Sequence, residues 1–327
     1  MKRVFLVLSI VSLFLGCAEK EPTNIKLSGP VFGTGYNIQY YSKADENYEK
    51  QFDSLFGVIN KSLSTYIPNS DISKWNRNES VEVDEHFITV FNTSKKIFKE
   101  SKGVFDPTIG NVVNAWSFGP EDNKFLTDSV TISRLMTHVG FDRVVKTPNR
   151  FIRPDSAYLD FNAIAKGYGI DVIAEFLEAE GVTDYLVDIG GDLRTKGINQ
   201  ESKKGWTVGI EDPNFDGSKS YSKAITLTNK GMATSGTYRK FKVDEDGNRY
   251  AHIIDTKTGY PTKTNVLSVS VIAPNAMLAD GYATTFQALG VEGTKTFLKT
   301  HPELQVYFIY LDENDVLQTL SLNNFPE

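Results

Sequence analysis

Asp280 and Thr284 stand four residues apart in a stretch whose pattern predicts a helix over Ala276–Leu289. On a helix they project from one face, one turn apart. A carboxylate and a hydroxyl so placed form a hard-oxygen site for magnesium or calcium, with waters and ligand phosphates completing the shell. The same spacing also suits a solvated aspartate and a threonine bonded back to its own helix. A second candidate is Asp160-Phe161-Asn162-Ala163-Ile164-Ala165-Lys166-Gly167-Tyr168-Gly169, which opens a predicted helix over Asn162–Glu180. A helix N-terminus offers free N–H groups to an anion, and Lys166 adds a point charge. A third is His252-Ile253-Ile254-Asp255, followed by Thr258-Gly259-Tyr260-Pro261. On a predicted strand over Tyr250–Ile254, His252 and Ile254 share one face. His252 suits a general base, although a lone histidine equally suits a satisfied core position.

Three loops carry further small and polar residues. In Ser101-Lys102-Gly103-Val104-Phe105-Asp106-Pro107-Thr108-Ile109-Gly110, Asp106 is placed to cap the turn that Pro107 begins, and Phe105 to line a ligand pocket. Gly190-Gly191-Asp192 follows a predicted strand over Tyr185–Ile189. Thr234-Ser235-Gly236-Thr237-Tyr238 is expected to be a small-residue turn with hydroxyls for a phosphate. Each of these segments, alone, is also ordinary structure.

Other chemistries are absent. There is no phosphate-binding Walker loop, and Val172 occupies the place of the third glycine in a dinucleotide fingerprint around Lys166-Gly167-Tyr168-Gly169. There is no His-Glu-x-x-His and no Gly-x-Ser-x-Gly. The four histidines, His86, His138, His252 and His301, are scattered, and the one cysteine is Cys17. A metal here is therefore expected to be held by oxygen. The chain of 327 residues is 40% hydrophobic with a formal charge of −6 and no basic block. That sustains a substantial core and disfavours a nucleic-acid partner.

Cys17 closes a processing signal. Lys2 and Arg3 precede an apolar run, Val4 to Leu15, that is too short to span a bilayer, and Gly16-Cys17 follows. Leu13-Phe14-Leu15-Gly16-Cys17 resembles a lipobox, which makes residues 1–16 a lipoprotein signal peptide and Cys17 the lipidated residue. Removing Lys2 and Arg3 changes the charge to 33 − 41 = −8. The expected location is extracytoplasmic, lipid-anchored to a bacterial membrane and facing the periplasm. Residues 17–27 are polar, carry Pro22 and read as a tether, leaving 28–327 as one domain.

Apolar residues at helical spacing predict helices from Tyr48 to Leu63 and from Phe87 to Phe98, the latter capped by Asp84 and stopped by Gly103. Strands are expected at Tyr36–Tyr41, Trp206–Ile210, Ala224–Thr228 and Leu267–Ile272. A helix over Val291–His301 and a hairpin, Val306–Leu311 with Val316–Leu320, close the chain. Helices and strands come in runs, which predicts an α+β fold with antiparallel strands.

Taken in order, these segments resemble the ApbE family of FAD:protein FMN transferases. The markers are Phe32-Gly33-Thr34, Ser64-Thr65-Tyr66 with Ser70-Asp71-Ile72-Ser73, Gly103 to Gly110 with Trp116 and Gly119-Pro120, Ala163 to Gly167, Gly190-Gly191-Asp192, Thr234-Ser235-Gly236, His252 to Pro261, and Ala279-Asp280 with Thr284. The resemblance implies one T-fold-like α+β domain. It implies FAD contacts from Phe32, Tyr66, Val104, Phe105, Asp106, Asp160, Lys166 and Ile254. Mg2+ would be held by the Ala163 carbonyl, Asp280 and Thr284, with His252 as the base. Asp192 stands where many relatives carry glutamate or asparagine, and its role stays open. FMN would pass from FAD to a threonine or serine hydroxyl, with AMP released. The implied acceptors are flavin subunits of extracytoplasmic electron-transfer complexes, of the sodium-pumping NADH:quinone oxidoreductase or Rnf type. A magnesium-dependent FAD pyrophosphatase and a non-catalytic FAD-binding lipoprotein are the alternatives.

Overall fold

The computed structural model describes residues 21–121, 126–148, 150–214, 220–237, 241–243 and 249–327. The signal segment and Cys17 lie outside them. Strand β1 (Thr23–Val31) turns through Phe32 and Gly33 into β2 (Thr34–Ser42). Both turn residues have positive φ, 48° and 74°, as a two-residue hairpin turn requires. The expected tether is therefore shorter than residue 27. Thr23 to Leu27 already pair with Ser42 to Ile38, because alternating side chains there cover one face of the sheet edge.

The helices α1 (Glu49–Leu63), α2 (Asp71–Asn76) and α3 (Glu85–Glu100) follow. In α1 the residues Phe52, Phe56, Ile59 and Leu63 are buried, the face that their spacing predicts. Asp84 caps α3 by accepting from Phe87 N at 2.9 Å. A 3₁₀ turn over Pro107–Ile109 leads into α4 (Gly110–Ala115), then α5 (Ser129–Met136) and the two-residue strands β3 (Val145–Lys146) and β4 (Phe151–Ile152). The expected helix from Asn162 begins later, as α6 (Ala165–Ala179). Residues 162–164 form a turn, in which Asp160 Oδ1 accepts from Asn162 N at 2.7 Å.

The remaining chain is mostly strand: β5 (Tyr185–Ile189), β6 (Asp192–Lys196), β7 (Trp206–Glu211), β8 (Tyr221–Leu227), β9 (Gly231–Gly236), β10 (Phe241–Val243), β11 (Arg249–Ala251) and β12 (Val266–Ala273). Helix α7 (Ala276–Leu298) precedes β13 (Gln305–Leu311) and β14 (Leu317–Leu322). The two helices expected around Gly290 are one element with a break there, since Gly290 has φ 68°.

Eight strands form one sheet in the order β1-β2-β5-β6-β9-β12-β13-β14, antiparallel throughout. The fold is α+β, as expected. All eight residues of β12 are buried, so both faces of the sheet are covered there. On one face Val269 and Val271 pack with Phe87, Phe161 and Phe286. On the other, Ile272 and Ile309 pack with Val208, Ile210, Ile225 and Leu227 of the β7–β8 hairpin. Two expectations for the site segments change. Thr234-Ser235-Gly236 is not a turn but the end of β9, paired with Ser270 to Ser268 of β12. The strand expected to reach Ile254 stops at Ala251, and Ile254 makes an isolated bridge to Pro261.

Candidate active site

Loops and strand ends from both halves of the chain enclose a cavity of about 370 Å³, within the roughly 300–1,000 Å³ usual for small-molecule sites. Val104, Phe105, Asp106, Asp160, Ala163, Lys166, His252, Ile254, Asp280 and Thr284 all line it. The sequence separates these residues by up to 180 positions, and the fold brings them onto one surface.

The start of α6 and the first turns of α7 meet at the cavity floor. Gly167 N donates to Asp280 Oδ2 at 2.9 Å. A β-carbon on Gly167 would lie 2.4 Å from the Ala276 carbonyl oxygen and 2.8 Å from Asp280 Cβ, so only glycine permits this approach. Gly167→Ala is expected to destabilise the fold by about 1–3 kcal/mol through overpacking and to displace Asp280. Thermal denaturation with and without magnesium measures both effects.

Asp280 is buried, and its carboxyl is pushed up to about 7, first by that burial and then by the negative charge of Asp192, against the pull of Lys166. Thr284 lies one turn on, with its hydroxyl 3.3 Å from that of Ser235. Ala163 lines the same cavity, and with its carbonyl this set would supply hard oxygens and a single full charge. It fits magnesium, which keeps several waters and shares phosphate oxygens. Among the described residues no three His, Cys, Asp or Glu side chains cluster as a metal cage, so a cation here depends on neutral oxygens and on the ligand.

Lys166 Nζ lies 2.5 Å from Asp192 Oδ2. Burial alone would lower the lysine, but Asp192 and Asp280 outweigh it and hold the ammonium above its ordinary value. Asp192 is itself buried and accepts from Thr234 N at 3.0 Å through Oδ1. It thus ties α6 to β9, a role that the sequence left open. Asp192 comes to that position from the turn Gly190-Gly191, where φ is 60° and 90°, a region that glycine adopts without the steric cost of a β-carbon.

The loop walls are pinned from behind. Asp106 accepts from Thr108 N at 2.8 Å and from Phe141 N at 3.1 Å. Burial raises its pKa despite those bonds. Its carboxylate holds the loop that carries Val104 and Phe105. Asp160 N donates to Pro107 O at 2.8 Å, which joins the second loop to the first. His252 sits just past β11, with its ring edge-on to Phe118 at 6.2 Å. The turn after it closes through Asp255 N to Tyr260 O at 2.8 Å, and Trp116 Nε1 donates to Gly259 O at 2.9 Å.

Two expected flavin contacts lie outside the cavity wall. Phe32 packs edge-on against Phe56 at 5.5 Å and over Gly169, so its ring is engaged between α1 and α6. Tyr66 is 54% exposed. Partial burial and the nearby charge of Asp160, itself a lining residue, raise the pKa of its hydroxyl. The fold adds Phe118, Gly209 and Glu211 to the lining. Phe118 lies between the markers Trp116 and Gly119, whereas nothing in the alternation of β7 distinguishes Gly209 or Glu211.

A model of the ApbE family matches residues 32–308. The FAD:protein FMN transferase of Haemophilus influenzae is 35% identical over 320 residues, covering 93% of this chain and 91% of that protein. That of Vibrio cholerae is 35% identical over 303 residues, with 89% of each covered. The solved flavin transferase ApbE from Vibrio cholerae superposes with a TM-score of 0.82 at 31% identity, over 92% of this chain and 97% of the other. The apo flavinyl transferase ApbE of Pseudomonas stutzeri gives 0.81 at 27% identity, over 92% and 95%. With the motifs, the cavity and the fold in agreement, the chain belongs to the ApbE family.

Proposed function

We propose that this protein transfers FMN from FAD to a serine or threonine hydroxyl of an acceptor protein, with magnesium bound and AMP released. One observation supports the metal most directly. Asp106, Asp160, Asp192, Glu211 and Asp280 line the cavity, against Lys166 as the only lysine or arginine there among the described residues. Asp192 is paired with Lys166, and Asp106 is bonded to the backbone at Thr108 and Phe141, so Asp160, Glu211 and Asp280 leave the lining net negative, which repels a pyrophosphate unless a cation intervenes. Asp280, Thr284 and the Ala163 carbonyl would hold that cation.

In the reaction the acceptor oxygen bonds to the FMN phosphorus, and the bond from that phosphorus to the bridging oxygen breaks. The electron pair leaves on AMP. His252, partly buried on the cavity wall, takes the hydroxyl proton. Lys166, held by Asp192, faces the phosphates and balances charge at the leaving side. Val104, Phe105 and Ile254 supply the apolar wall for the flavin, and Tyr66 covers it from the mouth. The chemistry that magnesium supplies when bound is neutralisation of the pyrophosphate oxygens. The test is intact mass of an acceptor fragment after incubation with FAD, magnesium and this protein. An added FMN mass supports transfer. AMP formed equally fast without acceptor, with no mass gain, assigns hydrolysis instead.

The proposed acceptors are flavin subunits of sodium-pumping NADH:quinone oxidoreductase or Rnf-type complexes. The proposed location is a bacterial membrane surface, reached through lipid on Cys17. Among the described residues no helix is long and apolar enough to cross a membrane. Cys17→Ser is expected to abolish incorporation of labelled fatty acid and membrane anchoring, while the released domain keeps its activity. An unchanged lipid label on the variant would refute the anchor.

A further inference from the structure

We infer that Asp171 of α6 is a positioning residue for the cation site, setting where α7 presents Asp280 and Thr284. The inference rests on the metal reading above. Asp171 is 2% exposed and lies outside the cavity lining. Its Oδ1 accepts from Ala276 N at 3.0 Å, and its Oδ2 from Met277 N at 2.9 Å. These are the first two residues of α7. Asn275 already caps the same helix through Leu278 N at 3.0 Å, so Asp171 adds a charged clamp to a helix end that has its own cap.

The geometry of the clamp matters more than its charge. On α6, Gly167 and Asp171 are one turn apart. On α7, Ala276 and Asp280 are one turn apart. Gly167 N bonds Asp280, and Asp171 bonds Ala276 and Met277. The two helices are therefore tied at two points separated by about 6 Å, four residues at the helical rise. One tie lets α7 pivot, whereas two set both its rotation and its height. Arg194 of β6 fixes Asp171 in turn, with Nη1 3.0 Å from Oδ1 and Nη2 3.1 Å from Glu178. The chain of contacts runs from the sheet through Arg194 and Asp171 to the helix that carries the ligand oxygens. Magnesium demands near-ideal octahedral geometry, so a small displacement of α7 weakens it disproportionately.

The test uses the full chain with Asp171→Asn and Asp171→Glu. The first keeps the shape but replaces one accepting oxygen with an NH2 that cannot accept from Ala276 N or Met277 N, and the second keeps both oxygens and the charge for Arg194 but moves them by a methylene. Manganese binding in the presence of FAD is read by electron paramagnetic resonance, and FMN transfer is titrated with magnesium. Both variants are expected to bind manganese about 10–100-fold more weakly, the usual effect of a group that orients metal ligands. The half-saturating magnesium rises in parallel, and the rate at saturating magnesium returns close to wild type. An unchanged manganese affinity in the folded Glu variant overturns the inference. So does a rate loss that magnesium does not restore. If the wild type itself neither binds manganese nor requires a metal, the metal reading fails, and this inference fails with it.

Discussion

Asp280→Ala is expected to lower kcat/KM for FMN transfer by about 10³-fold, because it removes the only full charge among the proposed metal ligands, a loss of several kcal/mol at the transition state. Ordinary magnesium concentrations should not restore the rate. Thr284→Ala should be milder, since water replaces a neutral ligand. In the metal-free fold two effects of the change oppose each other: no carboxyl has to ionise against burial and Asp192, but Gly167 N loses its acceptor. Metal-free Asp280→Ala is therefore expected to melt close to the wild-type temperature, while the rise in Tm that magnesium gives the wild type is lost. Full transfer activity of the variant in chelator would remove the metal from the mechanism.

The same carboxyl sets a pH dependence. In the metal-free fold it is raised from 3.8 to about 7, so the folded state holds its proton more tightly than the unfolded chain does. Between these values only the unfolded form has released the proton. This group's contribution therefore favours the metal-free fold at low pH and declines as pH rises towards about 7. Magnesium needs the ionised form, so its apparent affinity should climb about tenfold per pH unit below 7 and level off above. Calorimetric titration at several pH values reads both the slope and the released proton. A flat affinity from pH 5 to 8 would show that Asp280 is not the ligand.

His252→Ala is expected to reduce transfer by roughly 10²–10⁴-fold, the range for loss of a general base, with FAD binding retained. The backbone around His252 is held independently of the ring. Thr262 N donates to Ile253 O at 2.9 Å, and Ile253 and Ile254 are buried. The substitution therefore removes the imidazole without releasing the wall. Flavin binding by fluorescence and transfer by intact mass separate the two quantities. Transfer at the wild-type rate across neutral pH would assign the base to another group.

Much of the local structure was legible in the sequence because it follows from periodicity and end chemistry. The buried faces of α1 and α3, the Asp84 cap, the strand Tyr185–Ile189 and the closing hairpin depend on residues within a few positions of one another. The motifs around Lys166, His252 and Asp280 were legible too, since their residue types limit what chemistry they can do. The tertiary structure decided which of them meet. Thr234 to Gly236 look like a turn because they are small and hydroxylated. They form a strand because β12 supplies its partners, and Ser235 meets α7 there, with its hydroxyl 3.3 Å from that of Thr284. The resemblance puts Phe32 among the flavin contacts, and only the fold shows its ring packed against Phe56 and over Gly169. The pairing of Lys166 with Asp192, and the clamp from Asp171 onto α7, depend on strand order and on contacts more than a hundred residues apart in the case of Asp171. Local patterns report which face of an element is buried. They carry no signal for which element will cover it, because that choice is made by the packing of the whole sheet.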